Sequence, residues 1–114
     1  MHMLIQIVDD SPNMREAIKS VLDAFSAEFI ESGDGDEAVS QYAQHKPDLV
    51  IMDIRMDRMD GIAATRAIRS QSPHARVVMV TQYDDNDLRA AAREAGAEGY
   101  VLKCDPSALH AYVR

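Results

Sequence analysis

The sequence has 114 residues, a length that fits one domain with its own hydrophobic core. Hydrophobic residues make up 46% and charged residues 27%, which excludes a disordered or fibrous chain. A formal net charge of −7 argues against a broad basic face for nucleic acid or anionic membrane, and a single cysteine, Cys104, excludes an internal disulfide bond.

Five short apolar runs alternate with longer amphipathic stretches along the chain, a pattern that predicts a strand and a helix repeated five times. The predicted strands cover residues 3–8, 28–31, 49–52, 77–80 and 99–102. The third of these, Leu-Val-Ile-Met, shows no polar alternation. Continuous apolarity is typical of a central strand in a parallel sheet, because helices cover such a sheet on both faces.

The first helix is predicted to begin after Ser11, which can cap it, with Pro12 in its first turn. An apolar stripe at helical spacing then predicts the face that meets the core. The stripe consists of Ala17, Ile18, Val21, Leu22 and Phe25.

The other helices are delimited by aspartate, glycine and proline residues. They are predicted over residues 35–44, over residues 61–70 with Asp60 as N-cap, from after Tyr83 to Gly96, and from Pro106 to Arg114. The last of them has barely two turns, which is short for a helix that must cover a sheet face.

Polar side chains follow four of the predicted strands where each strand ends. They are Asp9 and Asp10, Asp53, Thr81 and Lys103. Right-handed crossovers bring the C-terminal ends of parallel strands to one edge, so we expect all five side chains in one pocket. Three carboxylates in one pocket repel each other by roughly 1 kcal/mol per pair at 4 Å in water. A hard divalent cation such as Mg²⁺ is the natural partner for them.

Five motifs surround these residues in a fixed order. They are Asp9-Asp10-Ser11, Met52-Asp53-Ile54-Arg55-Met56, Met59-Asp60-Gly61, Val80-Thr81 and Gly99-Tyr100-Val101-Leu102-Lys103. As a set they resemble the receiver domain of bacterial two-component response regulators. The NarL/FixJ subfamily is the most similar in the residues around Arg55, Gly61-Ile62-Ala63, Thr81-Gln82-Tyr83-Asp84 and Ala95-Gly96-Ala97-Glu98-Gly99-Tyr100. The resemblance runs from about residue 3 to the end of the chain. It implies a flavodoxin-like, doubly wound (βα)5 sandwich in the α/β class, with a five-stranded parallel sheet in the order 2-1-3-4-5.

The resemblance also assigns roles to the pocket. Asp53 would accept a phosphoryl group from the phosphohistidine of a partner protein and become an acyl phosphate. Asp10 and Asp53 would bind Mg²⁺ directly, together with the main-chain carbonyl of Arg55. Asp9 would hold a water molecule bound to the metal.

Other positions are expected to read or prolong the phosphorylated state. Lys103 would neutralise one phosphoryl oxygen as a point charge and the hydroxyl of Thr81 would donate to another. Tyr100 would be the ring that moves with Thr81. Arg55 and Tyr83, two residues beyond Asp53 and Thr81, would shield the acyl phosphate from water and lengthen its life.

At the level of the whole protein, the resemblance implies one receiver domain over residues 1–114 with a truncated fifth helix, and a DNA-binding output domain beyond residue 114. The expected partner is a sensor histidine kinase or a phosphotransfer protein, and a homodimer formed on phosphorylation is left open. No direct binding of nucleic acid or membrane is expected. The expected location is the cytoplasm, and the expected chemistry is self-phosphotransfer with slow autodephosphorylation rather than turnover as an enzyme.

Two alternatives remain beside this interpretation. One is an atypical receiver that binds partners without being phosphorylated. The other is a metal-dependent phosphatase, although its Asp-x-Asp run is missing, because Ile54 and Arg55 follow Asp53. The chain also departs from the family at Asp57 and Cys104, where many receivers have proline, which leaves the isomer of the Lys103–Cys104 bond open.

Overall fold

Strands and helices alternate along the chain, as the apolar runs predict. The computed structural model describes residues 2–114, so Met1, the first residue of the predicted domain, lies outside it. The elements are β1 (Met3–Val8), α1 (Pro12–Val21), β2 (Ala27–Ser32), α2 (Gly35–His45), β3 (Leu49–Met52), α3 (Gly61–Gln71), β4 (Val77–Thr81), α4 (Asn86–Ala95), β5 (Gly99–Leu102) and a 3₁₀ helix (Pro106–Tyr112).

The five strands form one parallel sheet in the order β2-β1-β3-β4-β5, which confirms the predicted topology. Strand β3 is central, with Ile51 paired to Ile7 on one side and to Val78 on the other. All four residues of β3 are buried, as its continuous apolarity predicts.

Two hydrophobic cores lie on opposite faces of the sheet. Helices α2, α3 and α4 cover one face, where Tyr42, Ile68 and Ala92 pack against Met52 and Met79. Helix α1 and the 3₁₀ helix cover the other, where Ile18, Leu22 and Leu109 pack against the alternate residues of the same strands. This two-sided covering is the doubly wound sandwich, and it leaves the C-terminal edge of the sheet to the loops.

Helix α1 is shorter than its apolar stripe predicts. The Ser11 hydroxyl accepts from the amide of Met14 as predicted, but the helix ends at Val21 and the turn begins at Leu22. Phe25 therefore contacts the core from the turn after the helix, and Ala17 is exposed. The prediction is wrong for Ala17, whose neighbour Ile18 takes the buried position, and right for the core contact of Phe25, although Phe25 lies outside the helix.

The segment after β5 winds as a 3₁₀ helix rather than as a regular fifth α-helix. Tyr112 packs against Gly99 so closely that a Cβ at Gly99 would lie 2.4 Å from Tyr112 Cζ. The guanidinium of Arg76 donates to the carbonyls of Tyr112 (2.7 Å) and Arg114 (2.8 Å). A side chain therefore anchors the C-terminal end of this segment.

The remaining helix boundaries follow their capping residues. Asp60 caps α3 as predicted and accepts from the amide of Ala63. Helix α4 starts a little later than predicted, at Asn86, because Asp85 is its N-cap, and it ends at Gly96 with φ +110° as expected for that glycine. Within residues 2–114, no helix combines the length and apolarity that a membrane crossing requires.

Candidate functional site

The three predicted aspartates meet at the C-terminal edge of the sheet. Asp9 and Asp10 follow β1 and Asp53 follows β3, and one carboxylate oxygen from each lies within 4.8 Å of the others. Asp9 is 1% exposed and Asp53 is 5% exposed, whereas Asp10 faces solvent. The backbone fixes this arrangement, because the amide of Asp53 donates to the carbonyl of Val8 at 2.9 Å.

Asp9 is held at several points. Its Oδ1 accepts from the amide of Ser11 at 2.9 Å, and its carbonyl accepts from Arg15 Nη1 at 2.6 Å. Its Oδ2 lies 2.9 Å from Lys103 Nζ as an ion pair, yet no donor is aligned with this buried oxygen as a hydrogen bond. A buried carboxylate oxygen that lacks an aligned donor fits a metal-bound water or a cation.

Lys103 is the cation of the pocket. Its Nζ lies 2.9 Å from Asp9 Oδ2 and 3.4 Å from Asp53 Oδ1. Its amide donates to the carbonyl of Thr81 at 2.8 Å, which joins the ends of β4 and β5. Burial lowers the pKa of Lys103, but contact with Asp9 and the charge of Asp53 outweigh burial, and the net pKa lies above its ordinary value of 10.5.

Ionisation of the Asp53 carboxyl group is unfavourable in the folded protein. Burial and the negative charge of Asp9 raise the pKa of Asp53 to about 6, although Lys103 opposes the increase. One lysine therefore does not fully compensate three carboxylates. An added divalent cation would relieve this repulsion, and the all-oxygen donor set of Asp9, Asp10 and Asp53 suits Mg²⁺.

The loop after β3 passes very close to the backbone of Asp53. A Cβ at Gly61 would lie 1.9 Å from the carbonyl oxygen of Asp53, so only glycine fits there. The amide of Gly61 donates to the carbonyl of Ile54 at 2.8 Å and closes the loop. In the sequence this glycine is visible only as part of an Asp-Gly motif, and its contact with Asp53 was not predicted. Asp57 is exposed in the same loop.

Thr81 and Tyr100 are connected through the backbone of Tyr83. Thr81 is fully buried and its Oγ1 accepts from the amide of Tyr83 at 3.3 Å, which leaves the hydroxyl proton of Thr81 free to donate. The hydroxyl of Tyr100 donates to the carbonyl of Tyr83 at 2.6 Å.

Residues 2–114 contain no cis peptide bond, so the Lys103–Cys104 bond is trans.

The two residues predicted to prolong the acyl phosphate touch each other. The guanidinium carbon of Arg55 lies 4.8 Å from the centroid of the Tyr83 ring. Arg55 belongs to the loop after Asp53 and Tyr83 to the loop after Thr81. This contact therefore joins the two loops across the edge of the sheet.

Comparison with known proteins agrees with this arrangement. The chain is 39% identical over 100 residues to the chemotaxis protein CheY of Bacillus subtilis (strain 168), which covers 87% of this chain and 83% of that protein. It is 41% identical over 100 residues to the transcriptional regulatory protein PdtaR of Mycobacterium tuberculosis (strain H37Rv), covering 87% of this chain and 48% of PdtaR. The chain thus spans about half the length of PdtaR and most of CheY.

Solved structures show the same fold. A two-component response regulator of the LuxR family from Aurantimonas sp. SI85-9A1 superposes with a TM-score of 0.91 at 34% identity, over 97% of this chain and 81% of that one. The CheX–CheY complex with BeF₃ and Mg²⁺ from Borrelia burgdorferi gives a TM-score of 0.86 at 26% identity, over 98% of this chain and 90% of that one. The family model of the response regulator receiver domain matches residues 5–114. The fold, the set of motifs and the match to the family model together show that the chain belongs to the response regulator receiver domain family.

Proposed function

We propose that this receiver domain is a switch controlled by phosphorylation of Asp53. The observation that carries the proposal is the position of Asp53, buried at the strand edge between two further aspartates and the ammonium group of Lys103. A carboxylate oxygen of Asp53 would attack the phosphorus of a phosphohistidine. The phosphorus–nitrogen bond breaks, the histidine leaves with the bonding electrons, and an acyl phosphate forms on Asp53.

Asp10, Asp53 and the main-chain carbonyl of Arg55 would hold Mg²⁺, with Asp9 bound to it through water. When bound, Mg²⁺ supplies positive charge that offsets carboxylate repulsion and the charge on the phosphoryl oxygens. The fit rests on the clustered carboxylate oxygens and on Asp9 Oδ2, which lacks an aligned donor. The related CheY from Borrelia burgdorferi was solved with BeF₃ and Mg²⁺, which supports the same choice of ion.

Lys103 and Thr81 would bind the phosphoryl group once it is on Asp53. The ammonium of Lys103 already lies within 3.4 Å of Asp53 and needs little movement to contact an added phosphoryl oxygen. The hydroxyl of Thr81 accepts from Tyr83 and can donate to a second oxygen. Movement at Thr81 would reach Tyr100, because both side chains contact the backbone of Tyr83.

The connected residues Thr81, Tyr83 and Tyr100 would carry the signal from the phosphoryl group to an output. A shift of the population from 1:99 to 99:1 requires about 5.5 kcal/mol, which a few charge-assisted hydrogen bonds to a phosphoryl group can supply. The output would be transcription, through a DNA-binding domain beyond residue 114. The chain spans about half of the transcriptional regulator PdtaR and resembles a LuxR-family regulator, which supports this choice.

The surroundings of the domain follow from the same proposal. A sensor histidine kinase or a phosphotransfer protein would donate the phosphoryl group, in the cytoplasm. The domain itself would act on no substrate other than its own Asp53 and would not contact DNA directly, and a homodimer would form on phosphorylation.

Incubation with Mg²⁺ and acetyl phosphate, followed by intact mass measurement, tests the proposal. The wild-type chain should gain the mass of one phosphoryl group, and Asp53→Asn should gain none. Asp23→Asn is the matched control, because Asp23 is an exposed aspartate in the turn after α1. If the wild type gained no mass, the domain would be a binding module that works without phosphorylation. Turnover of p-nitrophenyl phosphate would instead indicate a phosphatase.

A further inference from the structure

We propose that Arg89 is a positioning residue that ties Tyr100 of β5 to the loop after Thr81 and so sets the affinity of the pocket for a phosphoryl group. The inference rests on the proposed function of Asp53 and extends it to a residue on α4, outside the pocket.

The planar guanidinium group of Arg89 contacts two partners, Tyr100 and Asp84. Its guanidinium carbon lies 4.4 Å from the centroid of the Tyr100 ring. Its Nη2 and Nε lie 3.1 Å and 3.2 Å from Asp84 Oδ1. An arginine can stack with its face and donate from its edge at the same time, which suits it to join a ring to a carboxylate.

Both partners of Arg89 lead toward Thr81. Asp84 lies in the loop between β4 and α4, three residues after Thr81. Tyr100 donates from its hydroxyl to the carbonyl of Tyr83, and the amide of Tyr83 donates to Thr81 Oγ1. Helix α4, the loop and strand β5 are therefore joined in a closed circuit of contacts, and Arg89 makes two of those contacts.

Besides Arg89, the loop is held by the stack of Arg55 on Tyr83, by the hydrogen bonds of the Tyr83 backbone and by the capping bond of Asp85. Its residues 82–85 are exposed, and the core beneath it ends at Thr81, which is buried. Because a loop that is already ordered loses less entropy when its ligand binds, the contacts of Arg89 should raise the affinity for a phosphoryl group. Loss of Arg89 should release Asp84 and loosen the Tyr100 ring, which would keep its hydrogen bond to the carbonyl of Tyr83.

Beryllofluoride binding in the presence of Mg²⁺ measures this effect without phosphotransfer. We expect Arg89→Ala to weaken binding by about three- to thirtyfold, the range given by one exposed cation–π contact and one surface ion pair. Arg89→Lys should restore part of the loss, because lysine keeps a cation near the ring. Arg93→Ala, an exposed arginine one turn further along α4, is the matched control and should leave the affinity unchanged.

A second background separates positioning from a general effect of charge. In Tyr100→Ala, replacement of Arg89 by alanine should cause no more than a small further loss. Hydrogen exchange of the amides of residues 82–85, measured without any ligand, should become faster in Arg89→Ala and stay unchanged in Arg93→Ala.

The outcomes divide cleanly. Equal affinities of Arg89→Ala and wild type, or an undiminished effect of Arg89→Ala in the Tyr100→Ala background, would overturn the inference while the function of Asp53 stands. If the wild type bound no beryllofluoride and accepted no phosphoryl group, the proposed function would fail. The exchange rates of residues 82–85 would then still decide whether Arg89 holds the loop.

Discussion

The guanidinium of Arg55 lies over the ring of Tyr83, with 4.8 Å between the guanidinium carbon and the ring centroid. Each residue follows a predicted reactive residue by two positions, Arg55 after Asp53 and Tyr83 after Thr81. The sequence predicts that both residues shield the acyl phosphate, but it does not predict that they touch. The contact makes them one unit, because removal of either side chain removes the same stack.

We therefore expect Arg55→Ala and Tyr83→Ala to shorten the life of the acyl phosphate by similar factors. A cation–π contact at an exposed site contributes about 0.5–1 kcal/mol, which corresponds to about a two- to fivefold faster hydrolysis. Release of phosphate from the phosphorylated protein measures the rate.

The double variant tests whether the residues act as a unit. Its rate should match that of the faster single variant, since the stack can be lost only once. Arg66→Ala, an exposed arginine on α3, should leave the lifetime unchanged. If the double variant showed the product of the two single effects, or if neither single variant changed the rate, the stack would not protect the acyl phosphate.

Binding of Mg²⁺ should stabilise the folded domain before any phosphorylation. At a concentration ten times the dissociation constant, a ligand that binds only the folded state adds about 1.4 kcal/mol. For a domain of this size that amounts to a rise in Tm of about 5–10 °C. Differential scanning calorimetry with Mg²⁺ and with EDTA measures the difference.

Asp10→Asn provides the matched variant for the metal. Asp10 is exposed, so its replacement should preserve the fold, but it removes a carboxylate from the cluster. The Mg²⁺-dependent rise in Tm should shrink or disappear in Asp10→Asn and persist in Asp23→Asn. A rise of equal size in all three proteins would place the metal elsewhere.

The convergence of Asp9, Asp53 and Lys103 was predictable from the sequence. Right-handed crossovers place the C-terminal ends of all parallel strands at the same edge of the sheet. The capping roles of Ser11 and Asp60 were predictable for a similar reason, since each satisfies amides within one turn of its own chain. Such features depend on topology or on local backbone, and both are visible in residue patterns.

What the sequence could not predict depends on where long side chains go. Nothing in the pattern indicates that Arg89 reaches the ring of Tyr100 from another element, or that Arg76 binds the carbonyl of Tyr112 at the end of the last helix. The end of α1 at Val21 was also not predictable from the sequence, because several elements together set the core volume available to Phe25.

The short distance between Gly61 and the carbonyl of Asp53 predicts that Gly61 tolerates no side chain. Gly61→Ala would place a Cβ 1.9 Å from that carbonyl oxygen, so the loop must shift and move the backbone of Asp53. We expect a loss of at least about 1–3 kcal/mol in the free energy of unfolding, as for other overpacked sites. Urea denaturation measures it.

Gly33 offers a control for this effect. A Cβ at Gly33 would meet its nearest atom, Arg15 Nη1, at 4.0 Å, which is ordinary contact. Gly33→Ala should therefore change the free energy of unfolding by no more than about 0.5 kcal/mol. Equal losses for the two alanine variants would mean that the space around Gly61 does not set its identity.

The raised pKa of Asp53 predicts that its charge destabilises the metal-free fold above pH 6. The pKa is about 6 in the folded protein against an ordinary value of 3.8, so the folded state binds this proton more tightly than the unfolded state does. At pH 8 both states are ionised, and at about 1.36 kcal/mol per pKa unit the folded state bears a cost of about 2–3 kcal/mol. The cost falls as the pH drops through 6 and vanishes below 3.8.

Asp53→Asn keeps the shape of the side chain and removes this charge. In EDTA, we expect it to be more stable than wild type by about 2–3 kcal/mol at pH 8, because asparagine, like the protonated carboxyl group, carries no charge. The gain should decrease steadily between pH 6 and pH 4, whereas Asp23→Asn should show none at any pH. A gain that did not depend on pH would mean that packing, not charge, separates asparagine from aspartate at the edge of β3, and that the pocket has no electrostatic need for a cation.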